Sequence, residues 1–119
     1  EGRSFGQSRR CLIPASAFFE FTGTKYPKAK HRFTLNGAPF LCIAGLWRES
    51  AEDSNQPPAF TMLTTAPGPD VAPIHNRQVV VLRPADWRHW LALSKPEAEL
   101  LKPLAEGSLS VEQVRSGRD

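Results

Sequence analysis

Short extended runs dominate the first two thirds of the chain. Residues 11–14 form an apolar stretch closed by Pro14, which suits a strand end. Residues 18–21 are aromatic apart from Glu20 and, being few and ring-rich, predict a second strand. Residues 22–30 hold Gly23, Pro27 and three lysines, the composition of a loop. Residues 32–35 alternate polar and apolar, Asn36-Gly37 follows, and residues 40–46 are apolar. Asn-Gly between two such runs predicts a hairpin, because both residues accept positive φ; Ala38 and Pro39 lengthen its turn, and residues 47–49 continue the second strand. Residues 51–58 read as an exposed loop and residues 60–65 as a strand. Residues 67–73, with three prolines and a glycine, predict an irregular connection. Residues 78–82 are apolar from Val79 onward, the pattern of a strand buried on both faces.

The period then changes. Pro84 opens a helix, since proline is pre-set for the first helical position, and Trp87, Trp90 and Leu91 share a face at helical spacing. Pro96 opens a second helix over 97–101, with Leu100, Leu101 and Leu104 apolar. Beyond Gly107 the tail is polar, but Leu109, Val111 and Val114 can pair with a sheet. The predicted class is α+β: a mainly antiparallel sheet, an open barrel-like core, and short C-terminal helices.

Composition narrows the picture. The 119 residues suit one domain, and 40% hydrophobic content excludes wholesale disorder. A net charge of +3 permits a phosphate-binding face without requiring one. Basic residues gather loosely in 3–10, in 25–32, and at Arg77 with Arg83, with aromatics between. Such a pattern fits a single-stranded nucleic-acid groove or a solvated surface. Cys11 and Cys42 sit among apolar neighbours and read as buried thiols, and no cysteine or histidine spacing suggests a metal. Neither a signal sequence nor an apolar span is present, so the expected place is the reducing cytoplasm, with no membrane association. The polar start, residues 1–10, reads as a connection entered in the middle of a domain, so the chain is expected to be an incomplete one.

Few residues carry chemistry. Glu20 lies between two phenylalanines. In a strand it points away from them, either to solvent or into partly apolar surroundings that would raise its proton affinity for acid/base work. His75, Asn76 and Arg77 stand where the irregular connection enters the buried strand. They offer a proton donor, a hydrogen bonder and a phosphate partner, or else simply stabilise the loop. His31, in a lysine-rich loop, and His89, on the polar side of a helix, are expected at the surface. There is no phosphate-cradling glycine loop, nucleophile elbow or zinc-protease motif.

Three segments, in order, resemble the SOS-response-associated peptidase (SRAP) family of abasic-site-processing proteins. Arg9-Arg10-Cys11-Leu12-Ile13-Pro14-Ala15-Ser16-Ala17-Phe18-Phe19-Glu20-Phe21 is similar to the block RRCLIPAxGFYEW. Ala44-Gly45-Leu46-Trp47 with Glu49 is similar to AGLWE. Phe60-Thr61-Met62-Leu63-Thr64-Thr65-Ala66, followed by Ile74-His75-Asn76-Arg77, is similar to FTIITTxA…IHxRMPVIL. The resemblance implies a partner, single-stranded DNA containing abasic sites, and no cofactor or metal. It also implies a reaction: an N-terminal cysteine, bared by autoproteolytic loss of the initiator Met, attacks the ring-opened sugar through its amine and closes a thiazolidine through its thiolate. By that likeness Glu20 holds the amine and moves protons, His75 protonates the sugar oxygen, and Arg77 and Asn76 meet DNA. The chain departs from the pattern at Gln78 and Val79, where Met-Pro is usual, and at Ala17, Phe19 and Phe21. Cys11 matches the interior block, not the nucleophile. The full-length protein is therefore expected to crosslink DNA and the chain as given to be inactive. The alternative is a β domain that binds single-stranded nucleic acid without chemistry.

Overall fold

A computed structural model describes residues 9–49 and 57–117. The expected polar connection over residues 1–8 and most of the expected loop over 51–58 lie outside the described residues. Nine strands and two helices follow in chain order among those described: β1 (Arg9–Ala15), β2 (Phe18–Thr22), β3 (Ala29–Leu35), β4 (Leu41–Arg48), β5 (Ala59–Met62), β6 (Thr64–Thr65), β7 (Gln78–Val79), β8 (Val81–Leu82), α1 (Pro84–Ala92), α2 (Glu97–Leu100) and β9 (Leu109–Arg115). One sheet has the order β1-β4-β5, with β8 also on β4. A second runs β2-β3-β9, and β6 pairs β7. All pairings are antiparallel, and the sheets are open rather than closed into a barrel. The fold is α+β, as the sequence indicated.

β4 is the centre. Leu41, Cys42, Ile43, Ala44 and Gly45 are all buried, which requires cover on both faces. On one face Leu41 and Ile43 join Phe18, Phe33, Leu35, Val71, Val81 and Leu109 between the two main sheets. There the Phe18 and Phe33 rings stack with centroids 4.9 Å apart. On the other, Ala44 packs with Val80, Leu82, Trp90 and Leu100 against the helices. Gly45 lies opposite Cys11, and a Cβ there would come within 2.6 Å of Ile13 Cδ1, so β1 can lie against β4 only over a glycine.

Arg10 joins strands to helices. Its guanidinium lies 4.2 Å over the Trp90 ring and donates to Glu97 at 3.0 Å and to the Trp90 carbonyl at 3.2 Å. Trp90 in turn donates its indole N–H to the Cys11 carbonyl at 2.9 Å. Of the expected helix face, Trp90 is buried and Trp87 half-buried, its indole N–H donating to the Leu82 carbonyl of β8 at 3.0 Å, but Leu91 is exposed.

The expected hairpin at Asn36-Gly37 does not form. Gly37 takes the positive φ of a turn, but β3 pairs with β2 and β9 while β4 pairs with β1, β5 and β8. The turn carries the chain from one sheet to the other. Asn36 instead docks on the end of β9: its backbone N–H donates to the Ser108 carbonyl and its side-chain amide to the Gly107 carbonyl. The strand expected over 60–65 breaks at Leu63, and that over 78–82 breaks at Val80. Those two residues bond each other and Ala44 through Val80 N–H to Leu63 O, Ala44 N–H to Val80 O, and Leu63 N–H to Ala44 O.

Candidate active site

Strand β2 turns Phe19 and Phe21 outward, and Phe18 and the Glu20 carboxylate inward. Phe19 and Phe21 are 41% and 42% exposed, whereas the Glu20 side chain is 19% exposed. Alternation fixes this once Phe18 is committed to the core. Of the two readings of Glu20, solvent-facing or partly apolar, the second describes its surroundings. Burial pushes its carboxyl above its ordinary value, and the His75 imidazole beside it pulls in the opposite direction.

His75 comes from the turn-rich connection between β6 and β7. Its backbone N–H donates to the Val71 carbonyl at 2.9 Å, and Val71 is wholly buried in the core between the sheets. The ring presents Nε2 to Glu20 Oε1 at 3.5 Å, an ion-pair contact somewhat longer than a direct hydrogen bond. Its other nitrogen, Nδ1, faces the Arg77 backbone. The Arg77 N–H donates to it at 3.2 Å, which leaves the proton of the neutral ring on Nε2, toward Glu20. When the ring is protonated, Nδ1–H has the Arg77 carbonyl at 3.1 Å. Both protonation states therefore keep a partner, which is what a group that gives and recovers a proton needs.

Arg77 itself is exposed and donates from Nη2 to Thr64 Oγ1 at 2.8 Å. Asn76 is exposed beside it. The structure thus brings Glu20, His75 and Arg77 together, from two segments far apart in sequence. Three other arginines lie apart from one another: Arg10 is interior, Arg9 pairs with Glu49, and Arg83 donates to Ser108 Oγ at 2.7 Å.

His31 was expected at the surface and is buried. Strand β3 begins at Ala29, so His31 lies in the sheet opposite Glu20, on the same face, with Nε2 at 3.0 Å from Thr22 Oγ1. The alternation of His31, Phe33 and Leu35 was the available signal, hidden by the lysines around it. His89, half-buried, reaches Ser94 Oγ through Nδ1 at 2.8 Å. Gln78, which the sequence marked only as a departure, proves fully buried. Across the outer face of β2, Lys30 lies 4.5 Å over the Phe19 ring and 6.0 Å from that of Phe21, and Arg115 lies 5.8 Å from the Phe21 ring. No group of three or more His, Cys, Asp and Glu is arranged to hold a metal among the described residues, and no helix there is long and apolar enough to cross a membrane.

Fold and site together define an open antiparallel α+β domain with a carboxylate–imidazole pair formed between β2 and the β6–β7 connection. The SOS response associated peptidase (SRAP) family profile matches residues 3–117, and the chain belongs to that family. Among curated proteins it is 29% identical over 102 residues to the abasic site processing protein YoqW of Bacillus subtilis, and equally to YoaM of the same organism. These matches take in 83% and 82% of the chain but 45% and 44% of those relatives, so the chain spans under half their length. Among solved structures, a protein from Bacteroides thetaiotaomicron shares the fold with a TM-score of 0.78 at 21% identity, over 92% of this chain and 50% of that one. A protein from Bordetella bronchiseptica gives 0.71 at 28% identity, over 90% and 55%.

Proposed function

We propose that the chain is the acid/base part of a domain that processes abasic sites in single-stranded DNA by crosslinking to them. The observation that carries this reading is the contact between Glu20 and His75, held by two separate motifs beside an exposed Arg77. His75 in its protonated form gives its Nε2 proton to the ring oxygen of the abasic sugar as the C1′–O4′ bond breaks, and keeps its Nδ1 proton on the Arg77 carbonyl. The C1′ hydroxyl gives its proton to water, and its C–O bond becomes the carbonyl of an aldehyde. Glu20, its carboxyl raised by burial, orients the attacking amine and accepts protons from it. Arg77 and Asn76 hold the strand, Arg77 through a phosphate.

Neither thiol of the chain suits the nucleophile. Burial pushes both Cys11 and Cys42 upward, and the α-nitrogen of each is a peptide amide that cannot form a Schiff base. The reading therefore assigns attack to an N-terminal cysteine of the complete protein, exposed when the initiator Met is removed, and places the protein in the bacterial cytoplasm with its DNA. The test is adduct formation with an abasic single-stranded oligonucleotide, read on a denaturing gel. The complete protein should form the adduct and residues 1–119 alone should not. His75→Ala in the complete protein should slow it by about 10²–10⁴. Crosslinking per folded molecule unchanged by His75→Ala would sink the assignment.

One observation favours a second reading, a β domain that binds single-stranded nucleic acid without chemistry. Exposed rings with cations over them, as Phe19, Phe21, Lys30 and Arg115 provide, are the surface on which bases stack and phosphates settle.

A further inference from the structure

The turn that delivers His75 is tied at its base by a side chain outside the pair. Gln78 is 2% exposed. Its carbonyl oxygen accepts the Gly68 N–H at 2.8 Å, and its amide donates to the Val79 carbonyl at 3.2 Å. Gly68 is buried as well: a Cβ there would lie 2.7 Å from Pro103 Cβ and 2.9 Å from the Leu104 carbonyl oxygen. An amide so enclosed is costly to leave without an acceptor.

From Gly68 the turn propagates by backbone bonds. The Gly68 carbonyl accepts the N–H groups of Val71 at 3.2 Å and Ala72 at 2.9 Å. The Val71 carbonyl accepts those of Ile74 at 2.8 Å and His75 at 2.9 Å. Asp70 adds a second anchor by accepting the Gly107 and Leu109 N–H groups at 3.0 and 2.9 Å. The His75 backbone thus hangs from Val71, that segment from Gly68, and Gly68 from the Gln78 side chain.

We propose that Gln78 is a positioning residue: by holding the Gly68 amide it sets the turn that places the His75 ring against Glu20. The inference rests on Glu20 and His75 being the reacting pair. Methionine, usual at this place in the resembling pattern, has similar length but only a weak sulfur acceptor.

Gln78→Met in the complete protein tests it through three readouts: exchange of the Gly68 amide, the titration midpoint of the Glu20 carboxyl followed by carbon NMR, and the rate of adduct formation. Faster Gly68 exchange is expected. The Glu20 midpoint should move further up, because the opposing pull of His75 is withdrawn. The maximal rate should fall about 10–100-fold while the half-saturating DNA concentration stays put. Gln78→Glu keeps an acceptor for Gly68 and should recover amide protection and part of the rate. It also keeps the question open if Gln78→Met does not fold, since Gly68 exchange as fast as in a loop in that variant would itself count against the tie. A lower melting temperature with the Glu20 midpoint and maximal rate of the parent would make Gln78 a packing residue and overturn the proposal. Exchange and the midpoint are read without DNA. Failure of the complete protein to crosslink would therefore sink the assigned reaction and leave the midpoint to decide the positioning.

Discussion

A carboxyl raised by burial costs the fold something at neutral pH, and Glu20 is such a group. Between the ordinary carboxylate value, about 4, and the higher midpoint in the fold, the native state holds more protons than the unfolded chain. Stability therefore falls as pH rises through that window and stays lower above it. Glu20→Gln removes the titration while keeping the shape. Its melting temperature should exceed that of the parent at neutral pH, with the gap closing as pH falls through the carboxylate range. A gap independent of pH would mean that burial of Glu20 exacts no such cost. The same substitution should impair crosslinking in the complete protein, so stability and activity should move in opposite directions. Glu20 was legible as unusual because it interrupts an aromatic run. Its orientation was not, since alternation allows either face until the core claims Phe18.

At the scale of elements, the termini of α1 show how much local sequence decides. Pro84 opens the helix where expected, but the end is made by Leu93 at φ 58°, ψ 32°, a left-handed conformation that leucine adopts at a cost of about 1–2 kcal/mol. Leu93 is 66% exposed and contributes little packing. Leu93→Gly should therefore stabilise the chain by about 0.5–1 kcal/mol, read as a shift in the denaturant midpoint at constant slope. No gain would show that the leucine makes contacts beyond its backbone. Strand existence was legible from period and composition. Partnership was not: Asn36-Gly37 supplies turn geometry whether the next strand folds back or crosses to another sheet. The choice was made by Leu41 and Ile43 sharing one core with Phe33, Leu35 and Leu109 across the gap between sheets. His31 was misplaced for the same reason, because a lysine-rich stretch reads as loop until β9 pairs with it.

Across the whole molecule, the two faces of β2 differ in character: Glu20 is turned inward toward His75, and Phe19 and Phe21 are exposed with cations over them. The Arg77 backbone meets the His75 ring and its side chain reaches Thr64, while Lys30 and Arg115 lie over the exposed rings of β2. Arg77→Ala should weaken binding of single-stranded DNA and flatten its salt dependence by about one phosphate contact. Lys30→Glu with Phe19→Ala should do so only if the outer face also carries the strand. Equal affinity and salt slope in that double variant would remove the binding-module reading. The sequence by itself determined the α+β class, where most strands lie, the helix starts, the family, and Glu20 and His75 as residues of interest. Those are local matters of period, turn chemistry and motif, and they need no knowledge of what lies across the core. Only the tertiary structure decided that β3 and β4 belong to different sheets, that His31 is buried opposite Glu20, and that Gln78 ties the turn of His75. Contacts between distant segments depend on which apolar faces find one another. Side-chain burial, and the direction in which a carboxyl is pushed by it, exist only after they have done so.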